Sequence, residues 1–122
     1  MEPDRALLVS GALLLTISAL LGFVQERHRD QPAAFASWRV VHAGGTAGAV
    51  QLLALAAVWQ RFFARGPWTA LVAVGLIFST WAFFIGPLAR ATGHSRAARS
   101  INSAGAVAAV PAYLALPLLL FL

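Results

Sequence analysis

"WTALVAVGLIFSTWAFFIGPL", residues 68–88, carries no charged side chain in 21 positions. As an α-helix rising about 1.5 Å per residue it covers roughly 30 Å, the thickness of a bilayer's hydrocarbon core. The apolar residues are continuous rather than alternating, which excludes a strand of a membrane barrel. Three more runs read the same way: 6–24, 40–63 and 104–122. None holds Asp, Glu or Lys, and Arg61, near one end of the second run, is the single charge inside them. The chain is 60% hydrophobic over 122 residues, well above the roughly 45–50% of a soluble domain. The expected fold is all-α: an integral membrane bundle of four transmembrane helices, forming one domain over 1–122 with spans at about 6–24, 40–63, 68–88 and 104–122. The first run follows only one positive charge, Arg5, and exceeds a typical signal-peptide core, so it is read as a retained span.

Outside the spans the chain is polar and arginine-bearing. The connecting stretches are "QERHRDQPAAFASWR" (25–39), "QRFFARGPW" (60–68) and "ARATGHSRAARSINS" (89–103). Trp38, Trp59, Phe62, Phe63 and Trp68 fall at span ends, where aromatic belts belong. All nine basic residues are arginine and the formal charge is +5. In a soluble protein that excess would suggest nucleic acid. Here the charges flank apolar spans, so the expected partner is the lipid bilayer and not nucleic acid. The first and third loops hold Arg27, Arg29, Arg39, Arg90, Arg96 and Arg99, while the other face holds Arg5, Arg61 and Arg65. That bias puts the first and third loops in the cytoplasm and the protein in the cell (inner) membrane. The chain has no cysteine and its one methionine is Met1, which excludes disulfides, thiolate sites and an internal thioether ligand.

The second span opens with "SWRVVHAGGTAGAVQ" (37–51), which carries His42 into the apolar layer beside Gly44, Gly45 and Gly48. An ionisable residue inside a membrane span is a functional candidate. An imidazole there serves one of three ends: a hydrogen bond to a neighbouring helix, a ligand, or proton transfer. Counting helical rise from the arginine-rich face, Thr46 lies one turn below His42 and Trp38 one turn above. Ser79, Thr80 and Trp81 lie roughly 10–14 Å deep, with Gln51 and Tyr113 at about a common depth near 14 Å. Most buried polar groups thus share one half of the bilayer and could share one site, although Thr46, Ser79 and Thr80 are expected to bond their own helix backbones. Pro111 leaves the Val107 carbonyl free, with a kink expected. As a ligand, neutral imidazole suits haem iron, and the nearby glycines would admit a flat macrocycle. His28 and His94 lie in polar loops and read as solvated. Iron on His42 would then keep an open position unless a tyrosine joined it, making a Lewis-acid site. Arg39 is the nearest arginine for a propionate. So short a bundle has little interior for a porphyrin, which favours a pocket between subunits.

Three pieces resemble a known family. "WRVVH" (38–42), "TWA" (80–82) and "PAYL" (111–114) are similar, in order and spacing, to motifs of the small four-span membrane family that includes styrene oxide isomerase and, more distantly, hydroxylaminobenzene mutase. The resemblance implies a trimer carrying haem b (iron protoporphyrin IX) at subunit contacts, with His42 as the axial iron ligand. Cofactor-binding candidates are then His42, Trp38, Arg39, Gly45 and Trp81. Catalytic candidates are Tyr113, Thr46 and Ser79. The reaction implied is isomerisation of a small hydrophobic aryl epoxide to an aldehyde, with ferric iron accepting the epoxide oxygen. Several polar family positions are replaced. Asparagine six after the histidine is Gly48, and asparagine two after the third-span tryptophan is Phe83. Aspartate two before that tryptophan is Ser79, tyrosine six after it is Pro87, and the mutases' glutamate is Gly44. Three functions therefore stand side by side: a haem Lewis-acid isomerase, a non-catalytic haem protein, and a haem-free structural or accessory subunit in which His42 joins helices.

Overall fold

The computed structural model describes residues 2–63 and 66–120. Arg65, counted above on the less basic face, and the last two residues of the span ending at 122 lie outside the described residues. The described residues form four helices: α1 (Pro3–Arg27), α2 (Pro32–Phe62), α3 (Pro67–Ala91) and α4 (Ser95–Leu119). All four are long and apolar enough to cross a membrane, as the fold expectation required. Proline opens the first three, at the one helical position where its missing N–H costs nothing.

The helices outrun the apolar runs. α2 begins eight residues before position 40 and α4 nine before position 104. The stretches 32–39 and 95–103, expected as loop, are helical because they hold no breaker after Pro32 and His94. Their charges limit immersion in lipid and not helix formation. α2, at 31 residues, is about 46 Å long, so its first turns stand above the hydrocarbon on the arginine-rich face. The true turns are short. Gly93, at φ 90°, ends α3: the His94 N–H bonds the Ala89 carbonyl (2.7 Å) and the Gly93 N–H that of Arg90 (3.1 Å). This is a Schellman closure, which needs the left-handed conformation that glycine adopts without penalty. Pro111 sits inside α4, which continues through it.

Packing pairs α1 with α2 and α3 with α4, and α3 also lies against α2 and, over a shorter length, α1. Among the described residues the α4 backbone approaches only α3. The assembly is a three-helix core with a fourth helix on its flank. Small residues set the close crossings. A Cβ on Gly11 would meet Leu53 and the Ala49 carbonyl at 2.9–3.1 Å, and one on Gly105 would meet the Ala82 Cβ at 2.8 Å. Lipid is as apolar as leucine, so these van der Waals fits, rather than burial from water, hold the helices together. Leu20, Phe23, Leu71, Val74, Val107 and Leu114 accordingly point outward. One core cluster joins Leu7, Leu52, Trp59, Leu76 and Ala112. A second joins Leu14, Val41, Ala49 and Phe84 towards the arginine-rich face.

Candidate functional site

His42 leans from α2 onto α1. Its Nδ1 lies 2.6 Å from the Ser18 carbonyl oxygen. A carbonyl only accepts, so Nδ1 carries a proton, and in the neutral ring the lone pair is on Nε2. No partner within the chain engages Nε2 among the described residues. The ring rests on Gly22, where an added Cβ would come within 3.2 Å of Cε1. A backbone acceptor and a bare helix surface thus fix both the tautomer and the plane of this half-buried imidazole. That is how proteins orient histidine as a ligand. The same bond also ties α1 to α2.

The expected neighbours divide. Trp38, one turn above, packs against the second core cluster and stacks on His28 with centroids 6.0 Å apart. His28 is not solvated as expected: it is half-buried, with Nδ1 donating to the Val24 carbonyl at 2.8 Å, and it closes the end of α1. Exposed His94 lies 3.3 Å from the Thr92 hydroxyl. Arg39 is exposed on the outer surface of α2. Trp81 flanks the second core cluster too, set edge-on to Phe84 at 5.9 Å, but its indole N–H donates to the Ser10 hydroxyl at 2.7 Å.

The glycines do not clear a common space. A Cβ at Gly45 would strike the Ser18 hydroxyl and the Phe84 ring, and one at Gly48 would lie 2.6 Å from the Thr80 methyl carbon. Both positions are filled by neighbouring helices, so Gly45 is a packing contact and not an open face for a macrocycle. Gly44 alone of the three borders open space. As expected, the hydroxyls turn to their own helices: Thr46 donates to the His42 carbonyl at 2.9 Å, Ser79 to that of Leu76 at 3.0 Å, and Thr80 to the same atom at 2.7 Å. Neither catalytic candidate of this kind points at His42's free nitrogen.

Tyr113 does lie at the depth of Gln51, whose Nε2 donates to its hydroxyl at 2.5 Å. Gln51 follows His42 by nine residues, which puts it on the opposite face of α2 and about 14 Å deeper. The polar groups therefore form two sets on two sides of α2, and one protomer does not merge them. Ser10 and Ser18 escaped the sequence reading, which took Gly22 for helix packing only, although a sign was present. Leu7, Ser10, Gly11, Leu14 and Ser18 recur three and four apart and form the buried stripe of α1.

The family model for styrene oxide isomerase matches residues 3–122. The chain belongs to the styrene oxide isomerase family. No curated protein and no solved structure matches it. Of the positions singled out from the sequence, Gly48 packs on Thr80, Phe83 is exposed and Pro87 half-buried, and the Ser79 hydroxyl is taken up by the backbone.

Proposed function

We propose that this member of the family is a haem b protein that holds iron through His42 Nε2 and isomerises small aryl epoxides to aldehydes. The observation that carries the reading is the Nδ1 bond to the Ser18 carbonyl, because in the neutral ring it leaves the lone pair on Nε2, held in one orientation. Among the described residues no three His, Asp or Glu side chains gather. A metal here would thus arrive with most of its donors, as it does in a macrocycle. When bound, ferric haem supplies a Lewis acid for the epoxide oxygen. The chain's part is to orient the imidazole with Ser18 and Gly22, to wall the site with Trp38 and Trp81, and to offer exposed Arg39 to a propionate. Tyr113 faces away from His42 within one protomer. The reading therefore requires a homo-oligomer, a trimer on the family pattern, in which one copy's Tyr113 approaches a neighbour's His42.

Membranes containing the protein are expected to convert styrene oxide to phenylacetaldehyde, and His42→Ala membranes are not. Turnover by the variant, or silence of the wild type across a panel of aryl epoxides, sinks the isomerase reading. A haem protein without turnover is the second reading. It is favoured by the Thr46 and Ser79 hydroxyls, both spent on backbone carbonyls. It predicts colour with no product. Colourless, folded protein would leave His42 as a helix tie.

A further inference from the structure

The hydrogen bond between Gln51 and Tyr113 spans a gap that no backbone contact closes. Among the described residues the α4 backbone approaches only that of α3, yet these two side chains reach each other from α2 and α4. Gln51 gives its amide N–H to the phenol oxygen. A phenol has one proton and two acceptor positions. With an acceptor position filled by Gln51, the hydroxyl proton is left for a third group. Tyr113 makes no other hydrogen bond among the described residues and is 38% exposed, so that group comes from outside the protomer. Donation into an oxygen polarises its own O–H and makes the phenol a better donor. The core beside the pair is apolar, with Leu76 and Ala112 in it, and exposed Val110 and Leu114 sit three before and one after Tyr113 on α4. A ligand suited to this place is a small apolar molecule with one acceptor oxygen and no charge.

We propose that Gln51 is a positioning residue that turns the Tyr113 hydroxyl into a donor for the oxygen of such a ligand. The inference rests on the isomerase reading for the ligand's class, since an epoxide oxygen is such an acceptor. It gives a role to a residue that the family motifs do not include and that the sequence placed only by depth. No bond is made or broken by Gln51. Its effect is on the direction and strength of one O–H.

The chain's single tyrosine makes the test direct. Protein labelled with 13C at the tyrosine ζ carbon gives one phenol resonance. It is recorded with and without styrene oxide as probe, for wild type, Gln51→Met and Gln51→Glu, at matched haem content, and the melting temperature of each is measured. The wild-type resonance is expected to move on adding the epoxide, and neither variant's is. Turnover is expected to fall about tenfold in both variants, the worth of one ordinary hydrogen bond. Tyr113→Phe should fall at least as far, and Gln51→Met should have no further effect on that background. Glutamate accepts but does not donate. If Gln51→Glu matches the wild type, the phenol donates to position 51 and the proposal is overturned. It is equally overturned if Gln51→Met lowers only the melting temperature, which would make the pair a strap between helices. Wild-type turnover with unaltered variant kinetics defeats this inference and spares the isomerase reading. A probe-sensitive resonance without turnover does the reverse.

Discussion

His42 takes its chemical character from a main-chain atom. Because the acceptor of its Nδ1 proton is the Ser18 carbonyl, the Ser18 side chain is dispensable to it. That hydroxyl is buried with no partner, and an unmet polar group costs about 1–3 kcal/mol. Ser18→Ala should therefore keep haem and leave the melting temperature unchanged or higher. Loss of haem in Ser18→Ala would mean that the hydroxyl, not the carbonyl, holds the ring. Gly22→Val should do the opposite. Even the first carbon would crowd the imidazole at 3.2 Å, so haem content should fall while the helical circular dichroism signal persists. His28→Ala and His94→Ala should retain haem, since each ring closes a helix end or a turn. Haemochrome assays on the purified variants check all of these. A bond from His42 to a neighbouring helix was among the readings open beforehand, but its acceptor was not legible, because a backbone carbonyl has no residue type of its own. The presence of one imidazole inside a span was legible.

At the scale of the helices, glycine marks where they touch. Gly48 packs against the Thr80 methyl at 2.6 Å from an added Cβ, so Gly48→Leu should force α2 from α3. The expected cost is about 1–3 kcal/mol or more, seen as a lower melting temperature in haem-free protein too. A loss confined to haem content, at unchanged stability, would restore the idea that this glycine clears room for a macrocycle. Four spans were readable because each needs only continuous apolarity. Their ends were not, because charge ends immersion and not helix: Arg39 and Arg96 sit inside α2 and α4. Which glycine faces a neighbour depends on helix rotation. On α2, Gly45 and Gly48 face inward while Gly44 borders open space, and sequence alone did not separate them.

For the whole molecule, the decisive feature is that His42 and Tyr113 lie on two sides of α2. Depth was readable from helical rise, as the Gln51–Tyr113 bond bears out, but azimuth was not. A site using both residues must lie between copies. Co-expressed His42→Ala chains, inactive alone, and Tyr113→Phe chains, at least about tenfold slower alone, should exceed either parent's turnover when mixed, because some interfaces then hold both native residues. Mixed oligomers no better than either parent would place the two residues in separate roles. The central claim is the bond from His42 Nε2 to haem iron, and an absorption spectrum with a pyridine haemochrome assay on detergent-purified protein tests it most directly. The account predicts a Soret band and haem b in the wild type and neither in His42→Ala, with the variant still folded. A colourless wild type from haem-replete cells, or colour that survives in His42→Ala, would contradict it.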